Sequence, residues 1–187
     1  MNGGTVEATP GGGLVVADAE RALPRGRDAA VSALFMAHHA RLVGLARLLV
    51  DDMPSAEDVV QDAFASLYRR WPWLRDKSAA LQYLQASVAN GARSTLRRRR
   101  TAREAQIGPP RSVPSAESTY VQSEADIALR TALTGLPRRQ REVIVLRYYQ
   151  GLSEAEIADV LTISRGSVKQ HASRALNTLA VQLEDAP

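Results

Sequence analysis

The chain has 187 residues, 45% of them hydrophobic but only 5% aromatic, and a formal net charge of +4. That length fits one domain or two small ones, and the apolar share supports a packed core and excludes wholesale disorder. No cysteine is present, which excludes a disulfide framework, a thiolate metal site and a cysteine nucleophile.

Alanine and leucine dominate the apolar set, which favours helix over sheet. Lys77 and Lys169 are the only lysines, so the positive charge is nearly all arginine. A basic excess favours a polyanionic partner, and the rigid guanidinium fork suits phosphate and guanine. No apolar run is expected to approach the roughly twenty residues of a membrane span. The N-terminus has no charged region leading into an apolar one, so no signal peptide is expected. These features predict a soluble, cytoplasmic protein without membrane insertion.

Residues 1–28 are glycine-rich and aperiodic, and read as a flexible tail. From Ala29 to Val50, Val31, Leu34, Phe35, Leu42, Val43, Leu45, Ala46, Leu48 and Leu49 predict one long helix, or two in sequence. His38 and His39 lie within it. Neighbours on a helix point about 100° apart, so the pair alone chelates nothing and no metal site is expected. After Asp51-Asp52-Met53-Pro54, Ser55 is expected to cap an amphipathic helix. Val59, Val60, Ala63, Phe64, Leu67, Tyr68 and Trp71 form its inner face, and Glu57, Asp58, Gln61 and Asp62 an acidic outer one. Acids in the first turn complement the helix dipole. Gln61 and Asp62 lie beyond it, so the ridge is also a candidate docking surface.

Pro72 stops that helix. Trp71 and Trp73 flank it as candidate core plugs or, if exposed, as platforms for an unpaired base. From Ala80 to about Arg100, Leu81, Leu84 and Val88 are expected to pack inward. Gln82, Tyr83, Gln85, Asn90, Arg93 and Ser94 offer hydrogen-bonding and stacking groups. The helix ends in Arg97-Arg98-Arg99-Arg100, whose mutual repulsion a phosphate-bearing partner would relieve. Thr101 to Gln122, with Gly108-Pro109-Pro110 and Pro114, reads as a linker.

Helix is expected to restart at Ser123, with Ile127, Leu129, Leu133 and Leu136. Pro137 suits the first turn of the next helix, where Val143, Ile144 and Tyr148 are inward candidates. Gly151 reads as a C-cap. Ser153 and Glu156 form a capping box ahead of Ile157, Val160 and Leu161. A three-residue turn, Thr162-Ile163-Ser164, leads to a helix whose buried stripe is Val168, Ala172, Ala175, Leu176 and Leu179. Lys169, Gln170, His171, Ser173 and Arg174 face outward. That is the pattern of a helix-turn-helix, whose second helix enters a DNA major groove. The predicted fold is all-α: two small helical domains, 29–100 and 123–183, joined by a flexible linker at 101–122.

The acidic-faced helix from Glu57 to Phe64, the aromatic loop, the arginine-ended helix and LPRRQREVIVLRYYQGLSEAEIA…SRGSVKQHASRAL stand in an order that resembles the extracytoplasmic-function (ECF) sigma factors of the sigma-70 family. The likeness covers about Ala29 to Leu183. It implies a sigma2-like bundle and a sigma4-like helix-turn-helix domain. Asp58, Gln61 and Asp62 would dock on the β′ clamp of core RNA polymerase, with the β flap as a further contact. The segment Tyr83 to Asn90 would meet the promoter −10 element, with tyrosine in place of the usual tryptophan at 83, and Asn90, Arg93 and Arg97 would assist. The loop from Trp73 to Lys77 would capture a flipped-out base. Arg165, Ser167, Lys169, Gln170, His171 and Arg174 would serve the −35 element, and Arg138, Arg139 and Arg141 would contact phosphates. Gln170 and His171 depart from the family's commoner Ser-Arg pair, so the −35 sequence is this chain's own. An anti-sigma factor is a further partner the resemblance implies.

Two other classes stand against this reading. A free-standing LuxR-like regulator carries a similar C-terminal run, but does not need the first lobe. An enzyme would need a phosphate-binding glycine loop, an H-E-x-x-H, a nucleophile elbow or a metal cluster, and the chain carries no such motif. No catalytic residue or cofactor is therefore expected.

Overall fold

The computed structural model describes residues 23–50, 52–105 and 124–184, and among them every regular element is helical. The expected tail before residue 23, most of the expected linker and the expected restart at Ser123 lie outside the described residues.

The first lobe holds α1 (Arg27–Leu49), α2 (Met53–Arg70), a 3-10 turn (Trp71–Trp73) and α3 (Ala80–Ala105). α1 is one continuous helix and buries Ala30, Leu34, Leu42, Val43, Leu45, Ala46 and Leu49. Against the expectation from apolar runs, it is long and apolar enough to span a membrane by length and composition alone. Its apolar face is instead the wall of the core, packed against α2 and α3.

α2 starts earlier than expected. Asp52, not Ser55, is the cap: its carboxylate accepts from the Ser55 backbone N–H at 2.9 Å. Pro54 falls in the first turn, where a missing N–H leaves no helical bond unmade. Ala56, Val59, Val60, Ala63, Phe64 and Leu67 face inward. Tyr68, expected among them, sits at the rim and donates its hydroxyl to Asp28 at 2.9 Å. α3 runs past Arg100 to Ala105. α2 crosses it closely at Gly91, where a Cβ would stand 3.0 Å from the Val59 side chain.

The second lobe holds α4 (Glu124–Gly135), α5 (Arg138–Ile144), a π turn (Val145–Tyr149), α6 (Glu154–Leu161) and α7 (Arg165–Glu184). Pro137 is the residue before α5 rather than part of its first turn. The π turn widens the helix by one residue and shifts the register of the side chains after it. Val143, Ile144, Val145 and Leu146 are buried, but Tyr148 is thrown outward at 61% exposure, against the expected inward position. Gly151 then takes a left-handed φ of 75°, as a C-cap glycine should.

α1, α2 and α3 pack on one another, and α5 and α6 pack on α7. The lobes are also in contact, α3 against α6 and α1 against the π turn. One apolar core runs from Leu34, Leu45 and Leu84 through to Leu146, Ile157 and Val168.

Candidate nucleic-acid interface

The helix-turn-helix is built by side chains the sequence made legible. Ser153 accepts from the Glu156 N–H while Glu156 takes the Ser153 N–H at 2.8 Å, closing both halves of a capping box. The Ser153 hydroxyl also donates to the Glu156 carboxylate at 2.6 Å, and this bond first, then that from the Ser153 N–H, holds the carboxyl below its ordinary range against a smaller opposing effect of burial. Ile157, Val160 and Leu161 are buried. Thr162 makes the turn at a left-handed φ of 54°. Ser164 then receives the Ser167 N–H at 3.1 Å and starts α7.

Along α7, Val168, Ala172 and Ala175 are buried and Leu179 packs on the core. Leu176 does not join them. It is 44% exposed, because the inward line follows 168, 172, 175 and 179, and residue 176 lies about 100° round from 175. Arg165, Lys169, Gln170 and Arg174 are exposed, while Ser167 and His171 lie half-buried at the edges of the same face. The His171 Nδ1 is buried without a partner. Lys169 Nζ lies 3.8 Å from Glu154, which also accepts from Arg147 at 3.2 Å.

The first lobe presents a second surface. Asp58, Gln61 and Asp62 are exposed at i, i+3 and i+4, one ridge of α2. Asp58 and Asp62 border an open cleft whose other wall is Thr95, Arg98 and Arg99 of α3. The two tryptophans part company: Trp71 is buried, and Trp73 is 76% exposed. The loop that carries Trp73 is tied down from both sides. Lys77 donates to the Trp71 carbonyl and, at 2.9 Å, to the Leu74 carbonyl, and stands 4.7 Å from the Trp71 ring centre. Asp76 accepts from the Ser78 hydroxyl at 2.6 Å and the Ser78 N–H at 2.9 Å, and these bonds lower its pKa. Lys77 is thus a brace for the loop in this structure, and Trp73 is what the loop displays.

On α3, Asn90 and Arg97 are exposed and Tyr83 packs partly on the core. Gln85, expected among the groups offered to a partner, is buried and donates to Gln150 of the second lobe at 3.2 Å. The arginine run is divided by geometry. At about 100° per residue, four consecutive side chains cannot share a face. Arg97 and Arg98 point to solvent; Arg99 turns in to Asp52 at 2.6 Å; Arg100 pairs with Glu104 at 2.7 Å. Part of the relief expected from phosphate therefore comes from within the chain. For Asp52, burial acts to raise the pKa, but the Ser55 bonds and Arg99 outweigh it and leave the carboxyl below its ordinary value.

Glu142, missed in the sequence, sits where the lobes meet. Arg93 forks onto Glu142, Nε to Oε1 at 3.1 Å and Nη2 to Oε2 at 3.2 Å, with Nη1 on Asn90 at 2.9 Å. Glu142 is almost wholly buried and also meets Arg139 at 2.9 Å and Arg138 at 3.7 Å. Arg141 donates to the Thr134 carbonyl at 2.6 Å. A signal did exist: Arg138 and Arg139 stand four and three residues before Glu142, the spacing of helical ion pairs. Nothing local announced that Arg93, 49 positions away, would pair with it.

An acidic ridge, a displayed aromatic, a partly paired arginine helix and a helix-turn-helix with a basic outer face make a two-lobed helical protein of the nucleic-acid-binding kind. Comparison with known proteins carries the assignment further. The model of sigma-70 region 2 matches residues 34–102, and that of sigma-70 region 4 matches residues 126–179. The ECF RNA polymerase sigma factor SigM of Mycobacterium tuberculosis is 35% identical over 147 residues, 79% of this chain and 74% of that protein. The RNA polymerase sigma-E factor of Streptomyces coelicolor is 36% identical over 144 residues, 76% of this chain and 79% of the relative. Among solved structures, the sigma factor RpoE bound to the anti-sigma factor NepR from Bartonella quintana overlays with a TM-score of 0.68 at 25% identity, covering 83% of this chain and 97% of that one. CnrH in complex with the cytosolic domain of CnrY gives 0.66 at 26% identity, covering 86% and 92%. The chain belongs to the ECF sigma factors of the sigma-70 family and directs transcription initiation. The LuxR-like alternative finds no support in these matches.

Proposed function

We propose that the labour of initiation is divided between the lobes, residues 29–100 docking on polymerase and opening the −10 element, residues 123–183 reading the −35 element, and 101–122 linking them. Asp58, Gln61 and Asp62 dock on the β′ clamp of core RNA polymerase, and the second lobe meets the β flap. Asn90, Arg93 and Arg97 contact the −10 region beside Tyr83, and Trp73 captures an unpaired base, held in place by the Lys77 brace. A base that has left the stack finds a ready aromatic surface there, which favours opening without any bond being made or broken.

In the second lobe Lys169 and Arg174 favour guanine and Gln170 favours adenine, as their donor and acceptor patterns dictate. Arg165, Ser167 and His171 complete the −35 surface. Sigma factors are specificity subunits, so we assign this chain no catalytic residue and no cofactor, and place its work in the cytoplasm. An anti-sigma factor is a further partner, as NepR is for the sigma factor RpoE of Bartonella quintana.

The observation that carries this reading is the exposure of the α2 acidic ridge in the same molecule as a capped helix-turn-helix with a free basic face. A regulator acting alone needs the second feature but not the first. DNA protection on a promoter library separates the two readings. Protection over two elements that requires both core polymerase and this chain is expected. Strong protection of a palindrome by the chain alone would overturn it.

A further inference from the structure

Glu154 places a carboxylate in the first turn of a helix-turn-helix that faces a polyanion. Acids in a first turn offset the helix dipole, but Glu156 already does so through the capping box. The Glu154 carboxylate is turned elsewhere. Its Oε1 accepts from Arg147 Nη1 of the π turn at 3.2 Å, and its Oε2 lies 3.8 Å from Lys169 Nζ on α7. One carboxylate thus bridges two cations from two other elements, and the cluster keeps a positive charge in excess.

The two contacts differ in kind. Arg147 is hydrogen-bonded, whereas Lys169 at 3.8 Å stands beyond hydrogen-bond range and its side chain is 70% exposed. A pair so exposed adds little to stability. It biases where a flexible side chain points and is readily given up. That bias matters for a lysine, a point charge on a four-carbon stem whose donors rotate freely. Left to itself, such a group takes a phosphate oxygen as readily as a base edge. Lys169 lies one turn into α7, in the part of a recognition helix that meets base edges, with phosphates on either side of the groove.

We infer that Glu154 is a positioning residue for promoter reading: it holds the Lys169 ammonium toward the bases and keeps phosphates off it, while Arg147 supplies the charge that lets a carboxylate stand so near DNA. This rests on the assignment of Lys169 to the −35 element and adds to it a residue that touches no base. Glu154 repels the phosphate that would otherwise capture Lys169. At guanine the ammonium finds two acceptors, O6 and N7, to replace the carboxylate it leaves. Adenine and thymine offer one acceptor and cytosine a donor, so at those bases Glu154 remains the better partner. Discrimination arises from that competition.

The test reads base preference position by position. Holoenzymes formed from the full chain and its variants are bound to a promoter pool randomised over the −35 element, and to non-promoter DNA across a salt series. Lys169→Ala marks the position that Lys169 reads. Glu154→Gln, equal in size and without the charge, should flatten preference at that same position at least fivefold while the other positions keep theirs. Binding to non-promoter DNA should strengthen several-fold and its salt slope steepen by about one, as the released lysine joins the phosphates. Glu154→Asp, which keeps the charge, should restore most of the preference. In a Lys169→Ala background, Glu154→Gln should change no position further, because residues that act as a unit are not additive.

A contribution of Glu154 to the start of α6 alone would weaken every position alike, and that result would overturn the proposal. So would an equal effect of Glu154→Gln with and without Lys169. If Lys169→Ala leaves every −35 preference intact, the −35 assignment of Lys169 falls and the positioning role with it, an outcome seen without touching Glu154.

Discussion

α3 and α7 are both arginine-bearing helices, yet they keep their charges in opposite ways. α7 has a clean division: Val168, Ala172 and Ala175 face in, and Lys169, Gln170 and Arg174 face out, with only the 3.8 Å approach of Lys169 to Glu154 among them. α3 mixes the two. Arg93 meets Glu142, Arg99 meets Asp52, and only Arg97 and Arg98 of the run are turned to solvent without an ion pair among those described. A basic composition is not a basic surface. α7 keeps its charges on one side of a helical period, whereas a run of four carries them round the axis and into neighbouring elements. α7 is therefore presented before a partner arrives, and α3 is presented only in part.

The largest effect on this contrast comes from the core beneath the helices. Leu84→Ala under α3 removes a fully buried side chain and should destabilise by about 2–5 kcal/mol, against about 2 kcal/mol for Val168→Ala under α7. Urea unfolding monitored by circular dichroism measures both. Because the core is continuous between the lobes, each variant should shift one common transition, and two separated transitions would break that picture.

Next come the DNA faces. Gln170→Ala should relax preference at one −35 position by about 1–3 kcal/mol, read as a changed base at that position in transcripts from a randomised promoter pool. Uniform weakening at every position would assign Gln170 to the phosphates instead.

Asp52→Asn keeps a capping oxygen but removes the charge that ties Arg99 to α2, and should cost at most about 1 kcal/mol of stability at neutral pH, the range of a partly exposed ion pair. Its folded pKa lies below the ordinary 3.8. The carboxylate's contribution is therefore complete above that value and is lost as the pH falls through the folded pKa. The gap between wild type and Asp52→Asn should close on acidification below about pH 4, and a gap that widens there would contradict the assignment.

The smallest effect is that of Arg97→Ala, an exposed cation. It should leave folding unchanged and reduce the salt slope of promoter binding by about one.

The features legible in the sequence share one property, local determination. The capping box at Ser153 and Glu156, the Gly151 turn and the stripe Val168, Ala172 and Ala175 each arise from residues within a turn or two, and the structure has them as expected. The acidic ridge of α2 was likewise legible, since the apolar face opposite it repeats from Val59 to Leu67. Some of the features missed depended on partners distant in the chain or on a break in helical register. Gln85 reads as a polar surface residue until Gln150, 65 positions away, is placed beside it. Tyr148 reads as inward on an α-helical period, and the π turn moves it out. Lys77 showed no sign in the sequence of its bonds to the Trp71 and Leu74 carbonyls. The cap of α2 was misplaced because Asp52, Pro54 and Ser55 are all good helix starters, and only the fold selects Asp52.

Run-off transcription from a promoter library with core RNA polymerase, comparing this chain with an Asp62→Arg variant shown to be folded, tests both the function and the docking surface. Promoter-specific transcripts that depend on the chain, and fall by tenfold or more when the α2 ridge is reversed in charge, are the predicted result. Transcripts unaffected by Asp62→Arg would contradict the docking surface, and no chain-dependent transcript from any promoter would contradict the function itself.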